Sequence, residues 1–265
     1  MTLLEVADLT VRIAGRTVVD QVGFSLAAGD RLGLIGASGS GKSLTALALL
    51  GLLPEGAEAS GSVRLDGQEL LDRSDRWLSR IRGDRIAMVF QEPLTALNPL
   101  MRVGRQVAEP LRLHRGLSRK AAAALAVELV AEVGLPDPDR LVRSYPHELS
   151  GGQRQRIGLA IALACRPAVL LADEPTTALD VTVQAGVLRL LDRLVGDHGT
   201  ALLFITHDLA VVNQVAGRIA VLADGRVLEQ GLVAEVLQAP RSPGTKALIA
   251  AARATSWTPP VGVLP

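Results

Sequence analysis

The chain has 265 residues, 48% of them hydrophobic, and a formal net charge of +1. Such a length and composition suit one large domain or two intimate subdomains with a sizeable core, and so small a charge argues against nucleic acid or an anionic membrane surface as partner. Cys165 is the only cysteine, which excludes an intrachain disulfide and any cysteine-ligated zinc or iron–sulfur cluster built by this chain alone.

Residues 1–16 carry acidic side chains early and lack an apolar core followed by a cleavage site, so they do not read as a secretory signal. Residues 3–13 alternate Leu, Val and Ile with polar side chains, and 18–26 repeat the pattern. Both predict strands of a sheet with one solvated face. Residues 31–35 predict a short apolar strand ending in a glycine-rich loop, and 43–50 a helix stopped by Gly51 and Pro54. Further strands are predicted at 61–65 and 86–90. Between 93 and 150, helical spacing and alanine-rich stretches predict an inserted helical subdomain, with one helix starting near Ser118. A helix over 151–164, a buried strand over 168–172, an amphipathic helix over 183–195 and a strand over 201–206 follow. Residues 219–222 and 227–228 predict a hairpin around Asp224 and Gly225, and the tail from Trp257 reads as a loosely held end. The longest apolar run, 157–172, is interrupted by Arg166 and Pro167, short of the roughly 18 residues a spanning helix needs. The expectation is a soluble cytoplasmic protein whose membrane role requires partners.

Alternation of strands and helices implies an α/β fold with a parallel core and a second, helical lobe. Gly36-Ala37-Ser38-Gly39-Ser40-Gly41-Lys42-Ser43 fits the phosphate-loop pattern in the strand-to-helix setting that pattern demands. Glycines let the backbone curl so that its N–H groups face phosphate oxygens, and the helix that follows adds its positive end. Lys42 is placed to reach the β- and γ-phosphates and Ser43 to ligate Mg²⁺, so the expected nucleotide contacts are Gly36, Ser38, Gly39, Ser40, Gly41, Lys42, Ser43 and Leu44. With three lysines in the chain, a chance match to the fixed positions has odds of about 0.003. The apolar strand at 169–172 ends in Asp173 and Glu174. It places Asp173 at the carboxyl edge where Mg²⁺ sits and Glu174 where it can polarise an attacking water.

Leu149-Ser150-Gly151-Gly152-Gln153 precedes a predicted helix, a setting in which Ser150 also serves as an ordinary N-cap. Taken in order, the phosphate loop, this LSGGQ stretch and the acidic strand end resemble the ABC ATPases. Gln91 after a strand, Thr177 to Asp180, and His207 after another strand match further elements of that pattern, which covers about residues 3–232. The resemblance implies a P-loop NTPase (RecA-like) core with an antiparallel β subdomain and an inserted α-helical subdomain. The implied division is 1–92 with 151–232 as catalytic core, 93–150 as helical subdomain and 233–265 as C-terminal extension. It further implies that two such domains pack head to tail around ATP and Mg²⁺. Ser150, Gly151, Gly152 and Gln153 would then serve the partner's nucleotide, and Asp180 would link the two sites. Glu174, His207 and Gln91 are the implied catalytic residues, and Ser43, Gln91 and Asp173 the implied Mg²⁺ ligands. One position departs from the pattern: where the family stacks adenine on an aromatic ring after the first strand, this chain has Ile13, with Arg12 beside it. The expectation is an apolar contact and weak base selectivity.

Phe90-Gln91-Glu92-Pro93-Leu94-Thr95-Ala96-Leu97-Asn98-Pro99 is similar to a segment of the dipeptide, oligopeptide and nickel importer ATPases. So are Tyr145-Pro146-His147-Glu148 and Asp180-Val181-Thr182-Val183-Gln184. Residues 239–248 resemble a worn copy of the subfamily's C-terminal motif, and the cysteine cluster of many peptide-type members is missing, which leans towards the shorter nickel-type or metallophore-type ATPases without excluding peptides. The resemblance implies two transmembrane permease subunits, a second ATPase subunit that is a copy or a paralogue, and an extracytoplasmic solute-binding protein met indirectly. It implies no nucleic acid, and a location on the cytoplasmic face of the plasma (inner) membrane. The competing reading is a soluble ABC ATPase of translation or DNA repair. Those usually carry two ATPase domains or a long coiled coil, and neither is visible here.

Overall fold

A computed structural model describes residues 2–91, 97–177 and 179–255. Residues 92–96 of the importer-like segment, Ala178, and the tail that includes Trp257 lie outside the described residues.

β1 (Thr2–Ile13) and β2 (Arg16–Ala27) form an antiparallel hairpin turned by Ala14 and Gly15, both at positive φ. β3 (Arg31–Ile35) leads through the glycine-rich loop into α1 (Lys42–Leu50); β4 (Ala57–Leu65) returns beside β1, and β5 (Gln68–Glu69) pairs with β4. α2 (Asp75–Ile81) and β6 (Ile86–Val89) precede a helical stretch of α3 (Val103–Arg115), α4 (Arg119–Glu132) and α5 (Pro138–Leu141). The chain continues as α6 (Gly151–Leu163), β7 (Val169–Asp173), α7 (Val181–His198), β8 (Ala201–Thr206) and α8 (Leu209–Val215). β9 (Arg218–Ala223), β10 (Arg226–Leu232), α9 (Val233–Gln238) and α10 (Pro243–Thr255) complete it. The strands form two sheets, an antiparallel β2-β1-β4-β5 and a six-stranded β10-β9-β3-β8-β7-β6 that is parallel except for β10.

The parallel strands are apolar throughout because both faces are covered. Their period of two divides them between two cores. Ala87, Val89, Leu170, Ala172, Leu202 and Phe204 point to the helical side, where α3, α4, α6 and α7 pack. Ile86, Val169, Leu171, Leu203 and Ile205 point the other way, to α1 and the antiparallel sheet. The helical stretch therefore has no separate core: its buried Val103, Val107, Leu111, Ala126 and Val130 join the cluster that covers the sheet.

Three departures from the sequence reading have physical causes. β4 begins at Ala57 rather than 61, because Gly61 sits at φ 103° in a bulge instead of starting the strand. A side chain there would meet the Asp8 carbonyl oxygen at 2.5 Å. The seven-residue α2 and α8 were not expected; they are capped by Ser74 and by Asp208, whose side chains accept from Trp77 N and from Ala210 N. No helix among the described residues is long and apolar enough to cross a membrane.

Candidate nucleotide site

β3 ends in a loop that only small residues can form. At Gly36 an added Cβ would lie 2.1 Å from the Leu222 carbonyl oxygen, and Gly41, at φ 102°, would bring one to 2.9 Å from the Val18 carbonyl oxygen. The loop is thus wedged between β9 and β2. The turn at Asp224 and Gly225 closes it, with Gly225 N donating to Ser40 O at 3.2 Å and Asp20 N to Gly225 O at 2.8 Å. The sequence showed that turn only as a hairpin. Ser38 and Gly39 are exposed and Ser40 buried, while Leu44 packs half-buried against the core below.

Lys42 opens α1 and folds its side chain back into the loop. Its Nζ donates to the carbonyl oxygens of Gly36 at 2.9 Å and Ala37 at 2.8 Å. Burial pushes its pKa below the usual lysine value, partly offset by the charges of Glu174 and Asp173. Asp173, at the end of β7, is 4% exposed. Burial raises its pKa, opposed by a hydrogen bond from Ser43 and by Lys42, while Glu174 adds to the rise. Its Oδ1 has no hydrogen-bond partner. A buried carboxylate oxygen left over beside a serine hydroxyl and a lysine fits a divalent cation with oxygen ligands, so Ser43 and Asp173 suit Mg²⁺.

Parallel register brings three further residues together. Val89 pairs with Ala172 and Ile205 with Asp173, so Gln91, Glu174 and His207 emerge one or two residues past the carboxyl ends of neighbouring strands. Glu174 has φ 44°, an uncommon conformation for a residue with a side chain, and its N–H donates to Ile205 O at 2.9 Å. His207 Nδ1 lies 3.0 Å from Glu174 Oε1, while Gln91 Nε2 and the Thr177 hydroxyl donate to Oε2 at 3.1 and 2.9 Å. Burial pushes the Glu174 carboxyl up, but the hydrogen bonds from His207 and Thr177 and the charges of His207 and Lys42 outweigh it and hold its pKa below the ordinary value. The contact from Thr177 was missed in the sequence; its spacing of three residues from Glu174 is the signal that could have found it. Asp208, accepting from two N–H groups of α8, fixes the corner from which His207 projects.

Ser150, Gly152 and Gln153 behave differently. Ser150 is the N-cap of α6: its hydroxyl accepts from Gln153 N at 3.3 Å, and its own N–H donates to Gln153 Oε1 at 2.9 Å. Asp180 caps α7 by accepting from Val183 N at 3.0 Å. The two helix starts touch, since a Cβ on Gly152 would sit 2.6 Å from Val183 Cγ1 and one on Gly151 would reach Leu179 at 3.8 Å. No hydrogen bond among the described residues links Ser150 to Gln153, or Asp180, to the phosphate loop. Ile13 is half-buried at the end of β1, opposite Arg16 in the hairpin whose Val18 lines the loop.

Phosphate-loop ATPases are the class that this strand–loop–helix unit and the acidic end of its neighbouring strand define. The ABC transporter family model matches residues 19–177, more than half of the chain, and the chain belongs to that family. It is 46% identical to the oligopeptide transport ATP-binding protein OppD of Salmonella typhimurium, over 91% of this chain and 73% of that one. It is 47% identical to the peptidoglycan transport ATP-binding protein YejF of Agrobacterium fabrum, over 94% of this chain; it spans only 47% of that relative's length. Among solved structures, the ATP-binding cassette MJ0796, dimeric and bound to ADP and Pi, matches with a TM-score of 0.76 at 31% identity, covering 87% of this chain and 99% of that one. CbiO1 from Clostridium perfringens, part of the transporter complex cbiONQ, matches with a TM-score of 0.77 at 25% identity, covering 90% and 91%. The expected P-loop core, antiparallel β subdomain and helical elements are those of such cassettes, and the chain is an ATP-binding ATPase of this type.

Proposed function

We propose that this chain is the ATP-hydrolysing subunit of a peptide importer, working as one half of a head-to-tail pair on two permease subunits at the cytoplasmic face of the membrane. The observation that carries the hydrolytic part is the Glu174 carboxylate held by Gln91, Thr177 and His207. The relatives' names carry peptides rather than nickel, and a peptide is preferred to a metal chelate on that ground. A translation or repair role is disfavoured by the same names. In this reading residues 93–150 form the lobe facing the permeases, 1–92 and 151–232 the catalytic core, and 233–265 an extension. A solute-binding protein outside the membrane delivers the cargo.

In this mechanism the glycine-rich N–H groups of residues 36–43 hold the phosphates and Lys42 exchanges its two carbonyl partners for phosphate oxygens. Ser43 and Asp173 would hold Mg²⁺, with Gln91 at its edge; the ion would neutralise charge on the β- and γ-phosphates. Glu174, ionised at neutral pH because its carboxyl is held low, accepts a hydrogen bond from the attacking water and orients it. His207 fixes the carboxylate through Oε1. Gln91 is exposed and bonds Oε2, so it can leave Glu174 and report the state of the site to the permease. Ser150, Gly151, Gly152 and Gln153 offer the N-terminus of a 13-residue helix to the partner's nucleotide. Asp180 joins the halves.

The importer reading is tested by photocrosslinking from positions 91, 97 and 98 in membranes containing the neighbouring permeases. An adduct to a cytoplasmic permease helix is expected; labelling of ribosomal or DNA-repair proteins instead would overturn it. At the base end, adenine rests on Ile13 with Arg12 over its face. Base–aromatic contacts contribute on the order of 1–3 kcal/mol in nucleic-acid complexes, and without one GTP is expected to be hydrolysed within about tenfold of ATP, one decade being about 1.4 kcal/mol. A much stronger ATP preference in side-by-side turnover would refute the contact.

A further inference from the structure

Away from the nucleotide site, α3, the start of α4 and the segment at 142–143 line a half-open cavity of about 350 Å³. Gly104 makes this closure possible: an added Cβ there would lie 2.5 Å from Val142 Cβ, and Gly104 N donates to Val142 O at 3.0 Å. The floor is small and apolar, formed by Gly104, Ala108, Ala123 and Val142. The wall is cationic. Arg102, Arg105, Arg112, Arg119 and Arg143 line it against a single carboxylate, Glu109. Among the described residues only Arg112 has an acidic partner, with Glu109 at 3.2 Å; Arg102 lies over the Tyr145 ring at 5.7 Å. Arg105, Arg119 and Arg143 are exposed at its rim with neither an acidic nor an aromatic partner among the described residues, in a chain whose total charge is +1.

The helix ends make this arrangement more costly. α3 begins with Arg102 as N-cap, without a side-chain cap, and α4 begins with Arg119; neither helix has an acidic residue in its first turn. Cations at the positive end of a helix oppose its dipole. No carboxylate among the described residues pairs with Arg105, Arg119 or Arg143, a pattern expected where a sequence serves a ligand rather than stability. The cavity volume falls in the range of small-molecule sites, and guanidinium forks match phosphate oxygens in pairs.

We propose that this cavity binds a phosphate monoester or diphosphate carried on a small apolar body, either a free organic phosphate or the headgroup of an anionic lipid. Arg105, Arg119 and Arg143 then receive the anion, while the body rests on Ala108 and Val142. The site is separate from the phosphate loop, and its occupant would tie α3, α4 and the segment before the Ser150 turn into one unit.

The test uses the full chain carrying Lys42→Ala, which silences the phosphate loop, and is therefore independent of the transport reading. Inorganic pyrophosphate and glycerol 3-phosphate are titrated while thermal unfolding is followed. A saturable rise of about 3 °C at tenfold excess over Kd is expected, and it should vanish when Arg105→Gln and Arg119→Gln are added. Arg119→Glu should raise the midpoint without any anion and abolish the response, because it relieves the helix end that the ligand would otherwise neutralise. Vesicles containing phosphatidic acid, whose headgroup is a phosphate monoester, form a second arm, in which arginine-dependent cosedimentation with no response to the free phosphates assigns the headgroup as the source. The proposal is overturned if the rise survives in the arginine variants, or if neither phosphates nor vesicles bind. Binding only to an acidic peptide of a protein partner would equally overturn it.

Discussion

The residues around Glu174 and those around Ser150 are both polar clusters at the edges of α/β elements, yet they are built in opposite ways. Glu174 is tied by three side chains from three strand ends, and no rearrangement is needed to see what it faces. Ser150, Gln153 and Asp180 spend their side-chain hydrogen bonds on their own helix starts. The first cluster is tied within the chain; the second lies exposed or half-buried and makes no hydrogen bond to the phosphate loop among the described residues. The contrast supports the proposal that a single chain carries two half-sites, with the complete site formed only across a pair.

The comparison breaks most sharply at Glu174. Glu174→Gln should lower ATP turnover by about 10²–10⁴ while ATP binding is kept and a dimer accumulates, as measured by single-turnover hydrolysis and size exclusion. Robust turnover would remove Glu174 from its role. A smaller effect sharpens the other side. Gly152→Ala places a Cβ 2.6 Å from Val183 Cγ1, an overpacking that costs about 1–3 kcal/mol. Val183→Ala, added to it, should restore the unfolding midpoint. If Gly152 serves the partner's nucleotide as well, ATPase activity of the double variant stays low although stability has returned; full recovery of both would reduce the glycine to a packing residue.

The phosphate loop was legible because its chemistry is local: Gly36, Gly41 and Lys42 lie within one turn, and their spacing alone states what they hold. The buried strand before Asp173 was legible for the same reason, through its unbroken apolar run. What the sequence could not show is what crosses the sheet. That Thr177 and Gln91 share Oε2 of Glu174, or that Gly225 latches Ser40, depends on strand register between segments far apart in the chain. Gly152 read as part of a motif, whereas its packing reason is Val183, thirty-one positions on. Gly61 read as a strand start because a bulge glycine and a boundary glycine look alike until the partner strand is placed. The helical stretch reads from its sequence as an inserted subdomain, and what the sequence does not show is that its apolar residues join the core beneath β7 and β8.

The smallest expected effect separates Asp173 from its neighbour through pH. The folded protein raises the Asp173 pKa above 3.8, chiefly by burial. Between 3.8 and that raised value the folded state holds a proton the unfolded state has lost, so stability falls as pH rises through the window and the cost persists above it. Glu174 runs the other way. Its folded pKa lies below 4.5, so its contribution is fully present above that value and is lost as pH falls through the depressed pKa. In nucleotide-free protein with a chelator, Asp173→Asn should therefore raise the unfolding midpoint at neutral pH and Glu174→Gln should lower it. The gain from Asp173→Asn should fade as the pH is brought below 3.8, where the wild-type carboxyl becomes protonated in both states. Adding Mg²⁺ and ATP should reverse the order for Asp173, because the unpartnered Oδ1 that destabilises the free protein is then the atom the complex needs. If Asp173→Asn destabilises the nucleotide-free protein at neutral pH, the carboxylate is already satisfied without a cation, and its assignment to the metal site falls.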